Sequence, residues 1–79
     1  MIPGAAAAQR ALGRLTEELT RDYVVALELH SEGGQVLVRR LGHVEGLRVI
    51  WTGEVWDSEV VCQVGDWLEA GEPPQTRYC

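Results

Sequence analysis

The apolar positions of the chain change period twice, and each change marks an element. Across residues 5–20, Ala8, Leu12, Leu15 and Leu19 recur at spacings of four, three and four. That spacing puts one stripe on an amphipathic helix. Arg10, Arg14, Glu17 and Glu18 fall mostly off the stripe, and Thr20-Arg21-Asp22 ends it. The period then drops to two. Tyr23–His30 reads as a strand with Val25, Leu27 and Leu29 on one face. Ser31-Glu32-Gly33-Gly34 is a turn whose glycines supply positive φ. A second strand is expected at 35–41. With His30 opposite Gln35, Leu29 faces Val36 and Leu27 faces Val38. Residues 42–46, GHVEG, form a loop, and Leu47 opens a third strand.

The stretch VIWTGEVWDSEVV, residues 49–61, carries two tryptophans and three carboxylates. With Asp57-Ser58 as a two-residue hairpin loop, strands at 47–56 and 59–64 place Val49, Trp51, Gly53, Val55, Val60, Cys62 and Val64 on one face. The other face pairs Trp56 with Glu59, Glu54 with Val61, and Thr52 with Gln63. A slip of one residue would invert both sets, so burial of one face specifies the register. The predicted fold is therefore α+β: one N-terminal amphipathic helix packed on a four-stranded antiparallel meander sheet, in two layers. Trp51 belongs to its core, and Cys62 acts as a small core residue. The far face, with Val24, Leu37, Leu41, Ile50, Trp56 and Val61, is less polar than a solvated face. The C-terminal segment, a second copy forming a homodimer through this outer sheet face, or a partner would cover it. In residues 65–79, Gly65-Asp66 reads as a turn and Trp67 as an anchor in its own domain. Pro73-Pro74 argues for an irregular ending.

Seventy-nine residues allow a single domain, 1–79, which at this size buries roughly 60% of its unfolded surface. A composition of 46% hydrophobic and 24% charged residues is that of a globular chain. No apolar run nears the ~18 residues of a membrane span. MIPGAAAAQR lacks the basic start of a signal peptide. The expectation is a cytoplasmic protein, away from membranes. All seven cations are arginine, so no lysine exists for a Schiff base, a lipoyl or biotin attachment, or a P-loop.

Charge is unevenly distributed. The net charge is −5, and residues 45–72 hold Glu45, Glu54, Asp57, Glu59, Asp66, Glu69 and Glu72 against Arg48 alone. Phosphates would repel such a surface, so direct nucleic-acid binding is not expected. A basic partner would be attracted.

Catalytic and metal signatures are not found. His30 and His43 have no companion ligand at metal spacing, and Cys62 and Cys79 are too few for a zinc site or a disulfide framework. Ser31 and Ser58 fall in predicted turns, where hydroxyls serve the backbone. No glycine run matches a phosphate cradle. Val64-Gly-Asp-Trp-Leu-Glu-Ala-Gly71 resembles the turn of small carrier barrels but lacks the acceptor lysine. Arg39 and Arg40 alternate to opposite faces, with Arg40 at the core rim, its stem buried and its head in water. No enzyme, cofactor or metal is expected.

What remains is a surface of Glu54, Trp56, Asp57 and Glu59, joined by Asp66 and Glu69. An aromatic anchor ringed by carboxylates suits an arginine- or lysine-lined groove, with the field speeding encounter and the indole supplying buried area. As a short, acidic α+β domain without catalytic motif, the whole chain resembles the small anti-CRISPR proteins of phages and prophages, including those directed at type I effector complexes. The resemblance implies a non-catalytic inhibitor in the host-cell cytoplasm. Such a protein binds a CRISPR effector complex at basic surfaces and blocks target DNA. It carries over no individual residues. Two other readings stay open: an antitoxin or immunity-type protein capping a basic toxin with the same face, and a small dimerising structural subunit.

Overall fold

The computed structural model describes residues 5–19 and 22–79. Helix α1, Ala5–Glu18, is followed by strands β1, Tyr23–His30, β2, Gly33–Arg40, and β3, Leu47–Thr52. Helix α2, Asp57–Glu69, leads to β4, Gln75–Tyr78. The strands form one sheet in the order β1-β2-β3-β4. The first three pair antiparallel, and β4 pairs parallel to β3. The fold is α+β, with both helices against one face of a mixed sheet.

The hairpin predicted around Asp57-Ser58 is absent, and a helix occupies 57–69. Alternation from Val60 through Cys62 and Val64 breaks at Asp66. Helical spacing carries on: Val60, Val64 and Trp67, at steps of four and three, are all buried. The helix prevails because it buries Trp67 with the two valines, which no strand register can do. Asp57 and Glu59 occupy its first turn, where carboxylates complement the exposed N–H groups. Cys62, expected in the core, is exposed.

Gly65-Asp66, expected as a turn, lies inside α2. The helix ends instead at Gly71, with φ 91°. There the Glu72 N–H donates to the Trp67 carbonyl and the Gly71 N–H to that of Leu68, the two bonds of a Schellman cap. The expectation of an irregular ending is also overturned. Pro73-Pro74 precedes an edge strand, whose first residues need few donors. Its ladder runs from the Gln75 N–H on the Gly46 carbonyl to the Cys79 N–H on the Ile50 carbonyl.

The N-terminal stripe forms the predicted helix, with Ala7, Ala8, Ala11 and Leu15 buried and Leu12 and Leu19 half-buried; Thr20 and Arg21 lie outside the described residues. The first hairpin is tighter than expected. His30 pairs with Gly33 across Ser31-Glu32, so Leu27 faces Val36 and Val25 faces Val38. A shift of two residues leaves both faces intact. Gly34 is required because the Trp51 ring lies over it; a β-carbon there would sit 2.8 Å from Trp51 Cζ2 and 2.6 Å from the Glu28 carbonyl oxygen.

The inner face contributes Val36, Val38, Leu47, Val49 and Trp51 to a core closed by Ala8, Ala11, Leu15, Val60, Val64 and Trp67. At one end Arg40 forks onto Glu72 at 2.7 and 3.3 Å and donates to the Tyr23 hydroxyl at 2.7 Å. Tyr23 in turn meets Trp67 edge-on at 6.4 Å.

Candidate functional site

The six residues expected to form a binding surface all fall between the end of β3 and the end of α2. Gly53, at φ 73°, turns the chain out of β3. Glu54 is exposed in the linking loop, and Val55 plugs back into the core. Trp56 then stands in extended backbone at the N-cap of α2, φ −96° and ψ 138°, without a side-chain cap. Its carbonyl accepts from the N–H groups of Glu59 and Val60. Its indole is 67% exposed, whereas Trp51 and Trp67 are sealed at 2% and 1%. Of the three tryptophans, Trp56 alone meets solvent.

Along α2, Glu59, Cys62, Asp66 and Glu69 are all exposed. Steps of three, four and three put them on one stripe, opposite Val60, Val64 and Trp67. The helix thus gathers three predicted acids, from within and beyond the expected hairpin, onto one outward face. Their charges are not equally available. Glu54, Glu59 and Glu69 have no ion-pair partner among the described residues. Asp66 lies 3.7 Å from Arg77, whose guanidinium also donates to Gln63 and Gln75.

Asp57 departs from the expected group. It accepts from Arg14 at 3.1 Å and lies 4.0 Å from Arg10, so it bridges α2 to α1. The Arg14 hydrogen bond, aided by its own backbone N–H and by Arg10, holds its carboxyl below the ordinary value. Two cations already satisfy it, and it is structural rather than part of an open acidic surface. At the other end, the Arg40 hydrogen bond lowers Glu72, and burial followed by the Glu72 hydrogen bond raises Tyr23. Glu72 and Asp57 clamp the two ends of α2.

Val24, Leu37, Leu41 and Ile50 occupy the outer sheet face as expected, with Arg39, Arg48 and Tyr78. Trp56 and Val61 do not, because both belong to the α2 segment. No described element covers this face. At one end it forms an open groove of about 600 Å³ floored by Val24, Ala26 and Leu37 and bordered by Arg39, Arg48, Val44 and Glu45. Arg39 donates to the His43 carbonyl at 3.1 Å.

Arg77, Gln63 and the Arg40–Glu72 pair escaped the sequence reading. The helix-end signal of Gly71, with Pro73-Pro74 two residues on, would have placed Glu72 just past a helix end.

No family model, curated protein or solved structure matches the chain. Among the described residues no group of three His, Cys, Asp or Glu is placed to hold a metal ion. No described helix is long and apolar enough to cross a membrane.

Proposed function

We propose that this chain is a non-catalytic binding protein that docks on a basic macromolecular surface through Trp56 and the outward stripe of α2. The observation that carries the reading is the exposed indole at the head of a helix whose outer face holds Glu59, Asp66 and Glu69, with Glu54 beside it. An indole left in water by its own fold gains most by entering a pocket on another molecule. Glu54, Glu59 and Glu69, unpaired among the described residues, guide approach and match cations at the rim. Asp57 is excluded from the contact because Arg10 and Arg14 occupy it.

A basic groove that receives target DNA has the required chemistry. A bacterial nucleic-acid-binding defence complex, such as a CRISPR effector, is therefore the partner class we favour, with the carboxylates standing where phosphates would lie. A basic toxin presents similar chemistry. The test is competition: the protein should displace duplex DNA from a purified type I effector complex, and rising salt should weaken it steeply. Trp56→Ala should weaken displacement by at least about tenfold, as for a buried aromatic anchor. Glu54→Lys with Glu59→Lys should weaken it further, without loss of helical circular dichroism. Retention of full potency by the triple variant would refute the assignment of this face. Wild-type protein that displaces no DNA, yet neutralises a basic toxin through the same residues, would move the partner and keep the face.

A further inference from the structure

The two edges of the sheet are built differently. Strand β4 is four residues long, follows Pro73-Pro74 and carries Arg77, all devices that discourage pairing with another chain. Strand β1 is longer, has no proline before it, and carries a single acid, Glu28. It runs for eight residues, YVVALELH, with no proline and no arginine, and no described element pairs with it beyond β2.

The hydrogen bonding shows which of its backbone groups are open. The Leu41 N–H donates to the Asp22 carbonyl, so Asp22 and Leu41 form a hydrogen-bonded pair and bonded pairs alternate from there. Even-numbered residues of β1 turn their N–H and C=O groups to β2. Those of Tyr23, Val25, Leu27 and Leu29 point away from the sheet. The side chains of these same four residues lie on the inner face but are only half-buried, because α1 covers them from above and no described element flanks them.

We propose that β1 is a self-association edge, at which two copies of this chain pair their β1 strands antiparallel into one continuous sheet. This is independent of the acidic helix face. A two-fold axis requires a register that opposes residues of the same sheet face. With Ala26 on the axis, Tyr23 pairs with Leu29 and Val25 with Leu27 of the second copy. Each pair exchanges two hydrogen bonds, so all the outward groups are used. The same register sets Asp22 opposite His30 at both ends. The Nδ1 atom of His30 accepts from the Glu32 N–H at 3.3 Å, which leaves Nε2 to donate to that carboxylate. Moving the axis to Val25 would set Asp22 against Glu28, and moving it to Glu28 would set Glu28 against itself. An axis at Leu27 opposes no unlike charges. The hydrogen bond from imidazole to carboxylate, which no other axis offers, therefore selects Ala26 as the axis.

Sedimentation velocity of the full chain from about 1 μM to about 1 mM, with hydrogen exchange on the same samples, tests the pairing. Dimer should accumulate with concentration. The amides of Val25, Leu27 and Leu29 should become protected as it does, while those of Val24, Ala26 and Glu28 are protected throughout. Ala26→Lys, at an exposed position, places like charges face to face across the axis and should weaken the dimer at least about tenfold. Leu37→Glu, on the outer face one strand in from the edge, should leave it intact. A chain that stays monomeric with freely exchanging Val25, Leu27 and Leu29 amides overturns the proposal. So does a dimer broken by Leu37→Glu but not by Ala26→Lys, which would belong to the outer face. Tightening by Ala26→Lys would mean that the introduced ammonium meets Glu28 of the second copy, and would overturn the register.

Discussion

Trp51 and Trp67 offer a paired experiment, because the two indoles are almost equally buried and differ in hydrogen bonding. The Trp67 N–H donates to the Pro73 carbonyl at 2.7 Å. The Trp51 N–H is buried and has no partner among the described residues. Replacing either by phenylalanine removes the N–H and the fused five-membered ring, so both variants lose comparable packing. For Trp67→Phe, about 1 kcal/mol of net hydrogen bonding is lost in addition, and the Pro73 carbonyl loses its donor. For Trp51→Phe, a desolvated donor that costs the native state about 1–3 kcal/mol disappears, which offsets part of the packing loss. Trp67→Phe should thus be the more damaging by about 2–4 kcal/mol, or on the order of 10–20 °C in melting temperature for a domain of this size. Urea titration followed by far-ultraviolet circular dichroism, with reductant present for Cys62 and Cys79, measures both variants on one scale. Equal losses, or a larger loss for Trp51→Phe, would refute the hydrogen-bond reasoning and show that the packing of the Trp51 ring on Gly34 outweighs it.

Two further outcomes follow from the same structure. Glu72 and Asp57 titrate below their ordinary values of 4.5 and 3.8 because Arg40 and Arg14 hydrogen-bond to them. Their stabilisation is therefore complete above those values and is lost as pH falls through the lower, folded ones; Glu72→Gln should destabilise at pH 7 and become neutral in acid, as read from urea midpoints across pH. Gly34→Ala should cost about 1–3 kcal/mol through overpacking against the Trp51 ring and the Glu28 carbonyl, whereas Gly13→Ala, with open space around it, should be neutral or stabilising in thermal melts.

How far the sequence could be read depended on whether one periodicity had a competitor. In Tyr23–His30 only alternation fits, and strand, hairpin and faces followed from it. In 57–69 the valines at 60 and 64 satisfy both alternation and a helical stripe, and β-branched residues favour the strand locally. The tertiary gain of burying Trp67 beside Val60 and Val64 decides for the helix, and that gain is visible only once α1 and β3 are in place. The surface was legible for the same reason in reverse. Trp56, Glu54 and Glu59 are exposed in the structure and were outward in the predicted hairpin. Asp66 and Glu69 joined the face through helical spacing. Asp57 could not be read, since its partners Arg10 and Arg14 lie a whole sheet away along the chain and reach it only because α1 and α2 pack side by side.

The parallel pairing of β4 sets an order on self-assembly. The β1–β2 hairpin closes over two residues and needs nothing else, so it can form within microseconds. The last strand has no such freedom: it reaches β3 only after an intervening helix has doubled back over the sheet, and closing that excursion is entropically the slower event. The ribbon that carries Arg77 and Tyr78 should therefore zip up late and fray early, making the β4 rim the most labile border of an otherwise cooperative unit.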